Sequence, residues 1–177
     1  MKNNVLSLLL SSLILLLPQS GIASPDVSVG FSPEGTAQRL VLATLDGGTR
    51  EIRLMGYNFT SPDIVQALIR AKERGVDVKV VLDEKGNRNK SSRAAMNRLL
   101  SNGIPVRTNQ RYAIMHDKII ITDGQTVETC SMNFTRAGAS GNSENALVIR
   151  DMPELAERYL THWQSRWEEG NDYRLPY

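Results

Sequence analysis

From Val27 onward, short β-branched runs alternate with segments that carry helix caps, and this alternation restricts the chain to a layered α/β fold. Val76 to Leu82 (VDVKVVL) is too short for a stable helix and rich in β-branched residues, so it reads as a strand. Val27, Val29 and Phe31 alternate as in a half-buried strand, and Glu51 to Tyr57 reads as another. Ser32-Pro33-Glu34 opens a helix that runs to about Leu45, with the serine as cap and Gly47-Gly48 as the stop. Ser61-Pro62-Asp63 opens a second helix that ends at Gly75, and Ser91 to Asn102 forms a third, closed by Gly103. Strands follow at about 104–108, 114–122, 126–132 and 145–150, before Pro153 opens a last helix through Glu169. The consecutive strands of the second half make the expected sheet mixed, with helices on both faces. Residues 84–90 (EKGNRNK) read as a flexible polar loop and 136–143 (RAGASGNS) as a second loop.

The start of the chain has a different logic. Lys2 precedes a leucine-rich run from Val5 to Leu17, Pro18 ends that run, and Gly21-Ile22-Ala23 supplies small residues for a cleavage site. This layout predicts a secretory signal peptide over 1–23, a single domain over 24–177, and a periplasmic or secreted location. The apolar run reaches only about 20 Å as a helix, short of a ~30 Å hydrocarbon core, so it does not predict a stable membrane anchor.

Composition excludes several chemistries. The single cysteine rules out an internal disulfide framework and any zinc site of four cysteines or of two cysteines and two histidines. Two histidines rule out a three-histidine metal site. An aromatic content of 6% is too low for a wall of stacked bases. The net charge of +2 does not announce a polyanion binder, but its distribution is uneven. Lys85, Arg88, Lys90, Arg93, Arg98, Arg107 and Arg111 fall in one stretch with no acidic residue between them. Such a stretch is either a solvated face or a patch that attracts phosphate.

The chemistry-bearing residues cluster around Met115 to Asp123, MHDKIIITD. Ile119-Ile120-Ile121 makes this a strand, on which His116 and Lys118, two apart, share a face. Ser131 and Asn133, also two apart, end the next strand. Asp123-Gly124 reads as a two-residue hairpin turn. That turn puts Thr122 opposite Gln125, Lys118 opposite Thr129 and His116 opposite Ser131, so His116, Lys118, Ser131 and Asn133 face one way and Cys130 the other. An imidazole, an ammonium, a hydroxyl and an amide on one patch suit a tetrahedral phosphate. Asp123 itself has a turn former's place.

His116-x-Lys118-(x)4-Asp123 matches the HxK(x)4D signature of the phospholipase D superfamily without a gap. Ser131-x-Asn133 lies where that family's downstream Gly-Ser-x-Asn segment falls, and Glu144 resembles the acidic residue that hydrogen-bonds the histidine. From 24 to 177, through the Trp163/Trp167 helix, the chain resembles the small single-motif bacterial endonucleases of this superfamily. One departure is Cys130, which stands where the family has glycine.

The resemblance implies a phospholipase D/nuclease-like fold with one motif per chain, and a homodimer in which two motifs meet at one site on the two-fold axis. It implies phosphodiester hydrolysis without a cofactor or metal. One His116 is the nucleophile and its counterpart the general acid and base, while Lys118 and Asn133 hold the non-bridging oxygens. Ser131 adds a hydroxyl, Glu144 orients the imidazole, and Asp123 is a structural member of the motif. Lys85, Arg88, Lys90 and Arg93 are the expected contacts to a nucleic-acid backbone, most readily DNA, and such contacts carry no sequence information. Two other classes share the motif: a periplasmic phospholipase D acting on lipid headgroups, and an inactive DNA-binding dimer in which Cys130 has cost the activity.

Overall fold

The computed structural model describes residues 26–175; the leader read over 1–23 lies outside the described residues. The order of elements is β1 (Asp26–Ser32), α1 (Thr36–Gly47), β2 (Glu51–Gly56), α2 (Pro62–Glu73), β3 (Asp77–Asp83), α3 (Lys90–Ser101), β4 (Val106–Asn109), β5 (Lys118–Thr122), β6 (Thr126–Cys130), α4 (Arg136–Ser140), β7 (Glu144–Arg150), α5 (Pro153–Glu168) and β8 (Asn171–Asp172). The strands form one sheet in the order β1-β7-β6-β5-β2-β3-β4-β8. Only β2·β3 and β3·β4 are parallel pairs, and α2 and α3 supply the crossovers they require. The sheet is mixed, as the sequence predicts.

Each face of the sheet has its own core. Val41 and Leu45 of α1, Leu68 of α2 and Leu99 of α3 pack with Leu54, Val80, Leu82 and Ile120 on one face. On the other, Ala156 and Trp163 of α5 cover Met55, Val81, Ile119, Ile121 and Val127. The alternation along β5 therefore divides Ile119 and Ile121 from Ile120, and sends Lys118 to the three-helix side. Trp163 is pinned to the sheet by an indole N–H that donates to the Leu54 carbonyl at 2.9 Å.

Several local readings need correction. The first helix starts at Thr36, after a left-handed Gly35, and Ser32 belongs to β1 and does not cap. The reason is Thr36, whose hydroxyl accepts from the Phe31 N–H at 2.6 Å and donates to the Phe31 carbonyl, closing a turn over 33–35. Residues 136–140 are a short helix, not a loop, capped by the Thr135 hydroxyl, which accepts from the Gly138 N–H at 3.1 Å. The turn after β5 spans Asp123, Gly124 and Gln125, because Thr122 pairs with Thr126 and not with Gln125. Asp123 and Gly124 both take positive φ, 58° and 66°. The register therefore moves by one: Thr129 lies opposite Ile119, and Cys130 falls opposite Lys118 on the same face.

Candidate active site

The ends of five strands converge at one end of the sheet: the starts of β5 and β7 and the finishes of β2, β3 and β6. His116 lies just before β5 and is exposed, while Lys118, its first residue, is only 5% exposed. The Lys118 ammonium turns back to donate to the His116 carbonyl at 2.7 Å. Tyr57, immediately after β2, covers both: its ring centroid lies 4.8 Å from that of His116 and 5.7 Å from the Lys118 Nζ. Nothing in the sequence marked Tyr57; its place depends on β2 and β5 being antiparallel neighbours, with Gly56 opposite Lys118.

Burial pulls the Lys118 pKa below the ordinary lysine value, while Cys130, Asp117 and Glu144 act in the opposite direction. The ammonium is thus partly stripped of water before any ligand arrives, which strengthens its attraction for an anion.

Ser131 extends the β6·β7 ladder, donating its N–H to the Asn145 carbonyl at 3.1 Å. Its hydroxyl donates to Glu144 Oε2 at 2.5 Å, and Asn142 Nδ2 donates to Glu144 Oε1 at 3.0 Å. Glu144 therefore holds Ser131 and Asn142, and among the described residues no hydrogen bond joins it to His116. Its charge still reaches Lys118. Asn133 follows Met132, which is buried in the three-helix core. The Asn133 side-chain carbonyl oxygen is buried with no hydrogen-bond partner among the described residues, so the amide is uncommitted.

Asp123 sits at the far end of β5 from His116. Its carboxylate accepts from the N–H groups of Thr49, Arg50 and Glu51 and from the Thr49 hydroxyl, at 2.7 to 3.2 Å. Burial pushes its pKa up, but these hydrogen bonds outweigh that and hold it below the usual aspartate value. Its contacts are those of a latch for the start of β2.

Cys130 faces Lys118 and the three-helix core, contrary to the opposite-face reading. Its thiol points at the Met132 carbonyl, 3.2 Å away, and burial pushes its pKa far up, so it is no nucleophile at neutral pH. Two strand positions away on the same face, Glu128 is fully buried with neither carboxyl oxygen in a close hydrogen bond among the described residues, and burial, opposed weakly by the nearby Cys130 thiol, lifts its pKa to about 8.

The basic stretch is thinner in space than in sequence. Arg88 forms an ion pair with Glu84 at 2.7 Å and Arg107 with Asp172 at 2.7 Å. Lys85 donates to the Ala113 carbonyl at 3.3 Å, which brings it to the segment just before His116. Lys90 is exposed at the first turn of α3, and Arg93 lines a cavity of about 230 Å³ with Asn87, Thr108 and Arg174. The 84–89 loop is not loose: Asn87 is 2% exposed, accepts from the Phe59 N–H at 3.0 Å and donates to the carbonyls of Tyr57 and Asp83. Among the described residues no group of three or more His, Cys, Asp and Glu could hold a metal ion.

The family model for the cardiolipin synthase, PLD-like domain matches residues 41–167. A phospholipase D of Rickettsia conorii is 35% identical over 147 residues, covering 83% of this chain and 72% of the relative. A mitochondrial cardiolipin hydrolase of Xenopus laevis is 32% identical over 129 residues, covering 73% of this chain and 60% of the relative. The crystal structure of Nuc from Salmonella typhimurium, a phospholipase D family member, superposes with a TM-score of 0.85 at 56% identity, covering 86% of this chain and all of Nuc. NucT from Helicobacter pylori shares the fold at a TM-score of 0.75 and 20% identity. By family match, fold and the clustering of His116, Lys118, Ser131 and Glu144 at one end of the sheet, the chain belongs to the phospholipase D superfamily and is a phosphodiester hydrolase.

Proposed function

We propose that this chain is a metal-independent endonuclease that cuts DNA without sequence specificity, through a phosphohistidine formed at a site shared by two copies. The observation that carries this reading is the supply of histidines. The chain has two. His162 is committed to Asp117, 3.2 Å away, and the alternation along the strand puts Asp117 on the opposite side from His116 and Lys118. A second imidazole for the leaving oxygen then comes from a second chain. One neutral His116 attacks phosphorus in line and the P–O bond to the leaving group breaks. The other His116, protonated, gives its proton to the leaving oxygen and later takes one from the water that cleaves the phosphohistidine. Lys118 and the uncommitted Asn133 amide offset the charge on the non-bridging oxygens, in place of a metal.

A place for the second copy is at hand. Val27, Val29 and Phe31 on edge strand β1 are 59%, 58% and 50% exposed. They share the α5 side of the sheet with Leu147 and Ile149, while α5 itself packs on β2, β4, β5 and β6. This uncovered apolar strip ends at Phe31, beside the Ser32–Glu144 pair at the site. A two-fold partner would cover it, with its edge at Phe31 beside the site.

Nucleic acid is favoured by the likeness to Nuc at 56% identity. A lipid substrate is the second reading, favoured by the relatives named phospholipase D and cardiolipin hydrolase. The leader-like first residues favour a periplasmic or secreted setting for either activity.

The test is nicking of supercoiled plasmid in excess EDTA by residues 24–177 and by His116→Ala, with headgroup release from cardiolipin and phosphatidylcholine vesicles in parallel. Nicking by the parent alone is expected. Headgroup release without nicking transfers the function to lipid, and activity in a strictly monomeric preparation overturns the shared site.

A further inference from the structure

Tyr57 lies on the site, and neither its position after β2 nor the family signature predicts a role for it. Its ring faces both reacting groups, tilted 53° to the His116 imidazole at 4.8 Å and 5.7 Å from the Lys118 ammonium. The ring is itself held from behind. Asn87, buried in the 84–89 loop, donates to the Tyr57 carbonyl and to the Asp83 carbonyl at 2.8 Å, and accepts from the Phe59 N–H. Asp83, 2% exposed, accepts from the Gly86 N–H at 2.6 Å and from the Met115 N–H at 2.8 Å. One carboxylate thus joins the loop to the residue before His116. Gly86 completes the wall: a Cβ there would lie 2.9 and 3.2 Å from two carbons of the Tyr57 ring and 2.8 Å from the Asn58 side-chain oxygen. Only a residue without a side chain leaves the ring where it is.

We propose that Tyr57 is a positioning residue for the reaction, an aromatic wall that sets the His116 imidazole and the Lys118 ammonium side by side, with Gly86 and Asn87 as its buttress. The inference rests on the phosphodiester chemistry assigned to His116. The physical basis is twofold. A ring face attracts an ammonium within about 6 Å, more strongly when water is excluded, and Lys118 is largely buried. An exposed histidine ahead of a strand has few other contacts to choose its rotamer, so a ring at van der Waals range restricts it to attack geometry. Around Lys118 the charged or titratable groups are His116 and Asp117 before it, Cys130 on β6 and Glu144 on β7. Tyr57 is the group that meets the ammonium with a π face.

The experiment compares Tyr57→Ala, Tyr57→Phe and Gly86→Ala with the parent and with His116→Ala, on bis(p-nitrophenyl) phosphate and on supercoiled plasmid, reading kcat and KM separately, with thermal melting for each. Tyr57→Ala is expected to lower kcat by about tenfold to a hundredfold with KM within about threefold, the scale of a small misplacement of reacting groups. Tyr57→Phe restores kcat to within about twofold. Gly86→Ala keeps the tyrosine but displaces it, and lowers kcat by at least about fivefold; this variant carries the test if Tyr57→Ala does not fold. A parent inert on both substrates removes the phosphodiesterase reading and this inference together. An active parent whose kcat is unchanged in Tyr57→Ala and Gly86→Ala, or whose Tyr57→Phe falls as far as Tyr57→Ala, overturns the inference alone.

Discussion

The His162 imidazole on α5 lies 3.2 Å from the carboxylate of Asp117, the residue between His116 and Lys118. The last helix is thereby tied to the strand that carries the chemistry. The pair borders a surface cavity of about 440 Å³, also lined by Ile119, Thr129, Arg158 and Tyr159. His162→Ala is expected to keep phosphodiesterase activity within about tenfold of the parent, because one tether among several is lost. His116→Ala is expected to abolish it. A His162→Ala variant as inactive as His116→Ala would show that His162 takes part in the chemistry, and would remove the argument for a second chain.

Glu128 makes stability depend on pH. Its carboxyl is neutral in the fold below a pKa of about 8, whereas in the unfolded chain it ionises near 4.5. The folded state therefore binds the proton more tightly. Stability from this group is complete below the unfolded value and is lost as pH rises toward about 8. Glu128→Gln keeps the shape without the charge. It is expected to gain up to roughly 4 kcal/mol on the parent at pH 8 and little at pH 4, read by urea unfolding at the two pH values. An equal effect at both would contradict a buried, unpaired acid.

Asp123 acts in the opposite sense. Its folded pKa is lowered, so its stabilisation is present above the unfolded aspartate value and is lost as pH falls toward the folded one. Asp123→Ala leaves the N–H groups of Thr49, Arg50 and Glu51 without their acceptor, at a cost of about 2–4 kcal/mol. The surviving folded enzyme is expected to retain kcat within about threefold, since the latch lies at the other end of β5. Loss of kcat in a well-folded Asp123→Ala would assign this residue to the chemistry.

Cys130 is expected to react slowly with Ellman's reagent in the native protein at pH 8 and fully in denaturant, because the half-buried thiol beside Glu128 stays protonated. Rapid labelling of the native chain would mean that the Lys118 end of the sheet opens to solvent.

Much of the architecture is written locally. Ser61 caps α2, Gly75 and Gly103 take the positive φ that ends a helix, and β3 and β7 fall close to where their β-branched runs put them. The short helix after Thr135 is not legible in the sequence, because five residues carry too little periodicity to stand out. The hairpin after β5 is one residue longer than its Asp-Gly pair suggests, for a less local reason. Asp123 engages Thr49 to Glu51, more than seventy positions earlier, and the turn that suits this bond includes Gln125. Consequently Cys130 came to face Lys118.

By itself, then, the sequence determined the alternating α/β order and the single HxK motif that marks the family, because caps, periods of two and motif spacings act over a few residues. Only the tertiary structure decided that Glu144 holds Ser131, that His162 binds Asp117, that Arg88 and Arg107 are neutralised by Glu84 and Asp172, and that Tyr57 stands over both His116 and Lys118. Each of these joins side chains from different elements. Which strands become neighbours, and in which register, follows from packing the sheet between two cores, and a shift of one residue reverses the face of every side chain on the strand.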